Sequence, residues 1–162
     1  MKIIFKKILE YPAGTLCSLL EDAYAFNSDC TRHWRRDWQE FDDFFYDHPR
    51  IADTCGFITV LNDAPIGFVS WTPTGLPEHV EIGHNCIATA HKGRGYGVLQ
   101  MQEALRRIMK QHSPPKIIVT TNELLLPAQH MYARMGFRVH QRRPNDGPDA
   151  FAGNYIDCVF PE

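Results

Sequence analysis

The chain has 162 residues, 44% hydrophobic and 22% charged, the composition of a globular domain and not of a disordered or fibrous chain. Seventeen Lys and Arg against 19 Asp and Glu leave a formal charge of −2. That balance argues against a phosphate-tracking nucleic-acid binder, which carries a net basic field.

Residues 2–10 read as a strand. Lys6 and Lys7 interrupt its apolar run too early for a signal-peptide core, and no stretch approaches the ~18 apolar residues of a membrane span. Pro12 and Gly14 break the chain, and Thr15 is placed to cap a helix carrying Leu16, Leu19, Leu20, Ala23 and Phe26 at helical spacing. A second helical pattern carries Trp34, Trp38, Phe41 and Phe45 and ends before Pro49. Residues 54–61 and 65–72 read as a hairpin joined by Asn62-Asp63-Ala64. Residues 79–88 are a further strand, followed by a glycine-rich turn and an amphipathic helix with Val98, Met101, Leu105 and Ile108 on one stripe. Pro114-Pro115 stops that helix, and Lys116–Thr121 is a short β-branched strand. A helix around 127–135, a strand at 137–141, a Pro/Gly/Asp-rich loop at 144–153 and a strand near 155–160 complete the chain. The order β-α-α-β-β-β-α-β-α-β-β gives one mixed α/β domain over residues 1–162.

The five cysteines (Cys17, Cys30, Cys55, Cys86, Cys158) are odd in number, widely spaced and lack a C-x-x-C pair. Reduced thiols in a cytoplasmic protein are therefore the expectation. The eight histidines show no H-E-x-x-H or other ligand spacing, so no metal is expected.

Chemistry concentrates in one stretch. The strand Val80–Ala88 runs into His91-Lys92-Gly93-Arg94-Gly95-Tyr96-Gly97 and then into a helix. Glycines let a backbone approach a phosphate, and the N–H groups and dipole of a helix start favour negative charge. Such turns also serve simple chain reversal. The spacing is neither G-x-x-x-x-G-K-[ST] nor a G-x-G-x-x-G after an N-terminal strand, which disfavours a P-loop NTPase and a Rossmann dinucleotide site.

Lys92-Gly93-Arg94-Gly95-Tyr96-Gly97 resembles the [Q/R]-x-x-G-x-[G/A] pyrophosphate loop of GNAT-type N-acetyltransferases. Ala128 to Phe137, with Tyr132 and Gly136 between them, resembles that family's A-x-x-x-Y-x-x-x-G-F signature. A strand lies between the two, as in the family, and the match is best over residues 78–137. Lys92 stands where the family usually has Gln or Arg, and Leu125 where it commonly has Asn. The resemblance implies an α/β (α+β) GNAT-like acyl-CoA N-acyltransferase fold, with a mixed, mostly antiparallel sheet flanked by helices. It implies an acetyl-CoA site in which Lys92, Gly93, Arg94, Gly95, Tyr96, Gly97 and Val98 hold the pyrophosphate. The strand edge at Asn85, Cys86 and Ile87 would take the pantetheine arm, and its amides the oxyanion.

Acetyl transfer to an amine requires that a base take the amine proton, which a lysine-like amine of pKa about 10.4 holds at neutral pH. Glu81 is the candidate, at a distance before Lys92 similar to that in the histone-acetylating branch; it reads equally as an exposed strand carboxylate. Glu78 and His84 are weaker alternatives, His84 reading better as a packed strand histidine. Tyr132 is the candidate acid toward the leaving thiolate, or a packing aromatic beneath the Gly136-Phe137 turn. Cys86 is a conceivable nucleophile, but no base accompanies it and direct transfer in a ternary complex is the expectation. The aromatic stripe of the second helix lies where family members build acceptor pockets, although such stripes more often form core. Arg138, Arg142 and Arg143 read as an exposed basic strand end. The expected acceptor is a small-molecule or peptide amine, with no nucleic acid or membrane and with room for a homodimer. A non-catalytic CoA-binding sensor or assembly module is the alternative.

Overall fold

The computed structural model describes residues 2–145 and 153–161, so most of the 144–153 loop lies outside the described residues. In chain order the elements are β1 (Ile3–Lys6), α1 (Thr15–Ala23), α2 (Ser28–Asp47), α3 (Pro49–Thr54), β2 (Gly56–Leu61), β3 (Ala64–Thr72), β4 (His79–Ile87), α4 (Tyr96–His112), β5 (Lys116–Asn122), α5 (Leu126–Arg134), β6 (Arg138–Arg143) and β7 (Tyr155–Phe160). Short 3₁₀ turns follow β1 and β4. The strands form one mixed sheet in the order β1-β2-β3-β4-β5-β7-β6. The β4–β5 pair is parallel, and β1–β2, β2–β3, β5–β7 and β6–β7 are antiparallel.

By compactness the chain divides into two units, Met1–Ser70 with His84–Gln100, and Trp71–Gly83 with Met101–Glu162. In the first, Leu16, Leu20, Trp38, Phe45, Ile58, Val60 and Phe68 are buried together, and Trp34 and Phe41 pack against them. The aromatic stripe of α2 is thus core. In the second, Val80, Ile82, Met101, Leu105, Ile108, Ile117, Val119 and Ile156 are buried.

Local chemistry explains the boundaries. The first strand is shorter than residues 2–10, because the chain turns after Lys6 into a 3₁₀ segment that buries Ile8. Gly14, at φ +96°, is the N-cap of α1 and offers no side chain. Thr15 lies inside the helix and donates its hydroxyl to the Pro12 carbonyl at 2.7 Å. The missing cap comes from α2: buried Asp42 accepts from the Gly14 amide at 2.8 Å and the Cys17 amide at 3.0 Å. The helix ends at Ala23, leaving Phe26 60% exposed and off the stripe. Asn27 caps α2 through the Asp29 amide, and Pro49 opens α3, over residues that periodicity left unassigned between the second helix and the hairpin. Asn62 and Asp63 both take left-handed φ, as a two-residue hairpin turn with the right twist demands.

Candidate active site

All ten residues assigned above to the cofactor belong to the first unit; Glu81 and Tyr132 belong to the second. The β4–β5 ladder pairs His79 through Ile82 with Lys116 through Val119. β5 goes on pairing with β7 as far as Asn122, whereas no further β4–β5 pair follows among the described residues. The register thus ends just before His84, Asn85, Cys86 and Ile87.

That stretch of β4 is fixed from within its own unit. Gln100 on α4, fully buried, donates its amide to the Phe68 carbonyl at 2.9 Å, to Asn85 Oδ1 at 2.7 Å and to the Cys86 carbonyl at 3.2 Å. Its own carbonyl accepts the Thr59 hydroxyl at 2.7 Å. The His84 amide donates to Ser70 Oγ at 3.0 Å. Gly67 on β3 is needed for close approach, because a Cβ there would lie 2.3 Å from the Cys86 carbonyl oxygen. Neither Gln100 nor Thr59 carries a motif. The signal for Gln100 was its place on the inward face of α4, one residue before Met101, where an apolar side chain is the rule.

The turn after β4 has the backbone that its glycines allow. Gly93 lies at φ +74° and Gly95 at φ +87°, and a Cβ at either would meet no protein atom within 4 Å. Backbone conformation, not crowding, therefore calls for glycine. The first i→i−4 bond entering α4 runs from the Leu99 amide to the Gly95 carbonyl at 3.3 Å. The preceding amides of Gly97 and Val98 have no carbonyl to reach inside the helix, and Arg94 is exposed beside them.

Lys92 is engaged elsewhere. Its ammonium donates to the Ala23 carbonyl at the end of α1 and lies 4.8 Å above the Phe26 ring. Burial lowers its pKa. The Thr89 amide and hydroxyl add bonds to the Asp22 carboxylate and carbonyl, both at 2.7 Å, so the start of the turn is tied to α1.

Burial decides the state of two nucleophile or base candidates. The Cys86 thiol is pushed up to about 12 by burial, which keeps it protonated at neutral pH. His84 meets Phe41 edge-on at 4.4 Å, and burial pushes its pKa down to about 4 against the opposing charge of Asp37. A neutral imidazole of that basicity is a weak proton acceptor, in keeping with a packed histidine.

In the second unit Glu81 is exposed on β4, opposite Ile118. Tyr132 is buried, its ring edge-on to Phe137 at 5.6 Å. The Phe137 amide donates to the Tyr132 carbonyl at 3.0 Å and the Gly136 amide to the Ala133 carbonyl at 3.1 Å, with Gly136 at φ +99°. Those paired bonds, the left-handed glycine and the ring contact are a Schellman helix ending. The spacing Tyr-x-x-x-Gly-Phe thus has a mechanical reason independent of catalysis. Asn122, also missed by the sequence reading, is buried and caps the approach to α5 by accepting the Leu124 amide at 2.9 Å. Arg143 pairs with Asp157 at 2.6 Å, and Asp157 also accepts from Thr120 and Gln141 at 2.7 Å each. That basic strand end is therefore partly neutralised.

Residues 16–137 match the Acetyltransferase (GNAT) family, more than half of the chain. The chain belongs to the GNAT acetyltransferase family. This acetyltransferase is accordingly an acyltransferase by family. Solved structures share its fold. A GNAT-family chain from Desulfovibrio desulfuricans superposes with a TM-score of 0.76 at 15% identity, covering 98% of this chain and 97% of the other. A chain of the NatC complex bound to Gag peptide and CoA gives 0.72 at 17%, covering 100% and 99%. A GNAT acetyltransferase from Elizabethkingia anophelis with acetyl-CoA bound gives 0.67 at 16%, covering 98% and 95%. No curated protein matches the sequence. Among the described residues no cluster of three His, Cys, Asp or Glu could hold a metal ion, and no helix is long and apolar enough to cross a membrane.

Proposed function

We propose that this acetyltransferase moves an acetyl group from acetyl-CoA to a primary amine by direct transfer in a ternary complex. The observation that carries the reading is the Gly93–Gly95 turn: two left-handed glycines with open space beside them, feeding the first turn of α4. That donor set fits a diphosphate, with the amides of Gly97 and Val98 and the helix dipole favouring the anion. Lys92 would serve it only on leaving the Ala23 carbonyl; Arg94 is the exposed cation there. The Asn85–Ile87 edge of β4, beyond the last β5 pair, is suited to hydrogen-bond the amide-bearing arm, and its backbone donors to hold the oxyanion.

Glu81, directly or through water, takes the proton from the ammonium acceptor. The freed amine attacks the thioester carbonyl carbon, the C–N bond forms, the nitrogen sheds its second proton to solvent and the C–S bond breaks. Tyr132 returns a proton to the thiolate, and solvent restores both side chains. The buried, high-pKa thiol of Cys86 supports direct transfer over an acetyl-enzyme. The likeness to a NatC chain whose structure carries a peptide recommends peptide N-termini beside small amines and polyamines as acceptors to try.

Calorimetry with acetyl-CoA tests the shared premise, and no heat at high-micromolar ligand refutes it. Free-thiol release over an amine panel then separates an enzyme from a CoA-binding module. On a substrate so found, Tyr132→Phe should lower kcat by about tenfold or more. Unchanged kcat removes Tyr132 from the chemistry.

A further inference from the structure

The geometry points to Gln100 as a positioning residue that sets the pantetheine-binding edge of β4 relative to the diphosphate turn; the inference rests on the function proposed above. Gln100 lies four residues after Tyr96, where α4 begins, so its backbone moves with the helix whose first turn offers the diphosphate amides. Its side chain ends on β4, at Asn85 Oδ1 and the Cys86 carbonyl. One buried amide therefore joins the two parts of the expected coenzyme site.

The bond pattern leaves the amide one orientation. Three acceptors surround its nitrogen and one hydroxyl donor, Thr59, meets its oxygen. Turning the amide over would set its oxygen against the Phe68 and Cys86 carbonyl oxygens, which offer it no proton. Gln100 and Thr59 are both 0% exposed, so neither has water as a substitute partner. A polar group in such a place destabilises the core unless every bond is made. An apolar residue would pack α4 on the sheet with less risk, so packing alone does not account for a glutamine. What the glutamine adds is directional: it holds Asn85 and the Cys86 carbonyl at fixed hydrogen-bond distance, and Gly67 leaves room for that carbonyl. The amides on the same segment would then be presented in one conformation before the coenzyme arrives, the condition under which such donors act best.

The test compares two ligands by calorimetry on the full chain. CoA reaches both the turn and the β4 edge, whereas 3′-phosphoadenosine 5′-diphosphate reaches only the turn. Gln100→Leu, close in volume, is expected to weaken CoA by about tenfold or more and leave the diphosphate fragment within a factor of about two. Thr59→Val, which leaves the Gln100 oxygen without its donor and so loosens the amide without touching β4, is expected to weaken CoA a few-fold with the fragment again unchanged. This second variant carries the test if Gln100→Leu does not fold, as judged by circular dichroism. Equal losses for both ligands, or none for either, overturn the positioning role. A wild-type chain that binds the fragment and CoA equally well overturns it too, while leaving a diphosphate site in place. If the wild type binds neither ligand, the acetyl-CoA reading itself fails, and the inference falls with it.

Discussion

Single side chains on β4 show how far environment outweighs residue type. Cys86 and His84 are both reactive groups in water, yet burial holds one thiol up to about 12 and one imidazole down to about 4. Cys86→Ala should therefore leave thiol-release rates largely intact, and wild-type protein quenched after incubation with labelled acetyl-CoA should carry no protein-bound acetyl group. Gly95 shows the opposite dependence, on backbone and not on surroundings. With φ at +87° and nothing within 4 Å of a would-be Cβ, Gly95→Ala costs strain of about 1–2 kcal/mol without a clash. The expected result is a modest drop in melting temperature and a larger loss of CoA affinity, read by calorimetry, as the turn relaxes away from its left-handed form.

At the scale of elements, several ends are satisfied by residues far away in sequence. Asp42, 28 positions from Gly14, caps α1 because Gly14 lacks a side chain to do so. Its carboxylate is 2% exposed and holds two amides. Asp42→Ala should destabilise the chain by about 1–3 kcal/mol, and Asp42→Asn by less, since the amide oxygen still accepts; urea denaturation measures both. The α5 ending is local by contrast. Gly136 and the Tyr132–Phe137 contact close the helix with residues that lie within six positions of one another, which is why a short motif reports it. The β6–β7 hairpin is held by the Asp157 carboxylate, shared among Thr120, Gln141 and Arg143.

For the whole molecule, these shifted groups set how stability falls in acid. His84 changes from 6.5 in the unfolded chain to about 4 in the native one. Between those values the unfolded state binds the proton and the native state does not, so stability is full above about 6.5 and declines as pH falls toward about 4. The slope is at most about 1.4 kcal/mol per pH unit. Glu103 is held down to about 2 from 4.5 by its hydrogen bond to Arg106, and Arg143 holds Asp157 well below the usual carboxylate range. Their contribution is present above about 4.5 and is lost only at lower pH, with a size reduced by the solvent exposure of the arginines. Urea midpoints from pH 3 to 8 should therefore decline in two stages, and His84→Phe should flatten the upper stage while leaving the lower.

Local chemistry is what the amino-acid sequence determines unaided here. Periodicity places α2, α4 and the β2–β3 hairpin, because apolar spacing and turn residues act between near neighbours. The two family signatures are legible for the same reason: Gly93 and Gly95 set a turn, and Gly136 with Phe137 ends a helix, each within a few residues. Charge arithmetic, at −2, bears on partners but on no site. Tertiary structure alone decides which polar residues are buried and what they face. The place of Gln100 beside Met101 hints at burial but names no partner, and Thr59 and Asn85 lie 41 and 15 positions away. The same holds for Asp42, and for Lys92, whose charge faces the end of α1 and the Phe26 ring. Hydrogen bonding and desolvation depend on distances across the fold, which a linear pattern does not contain.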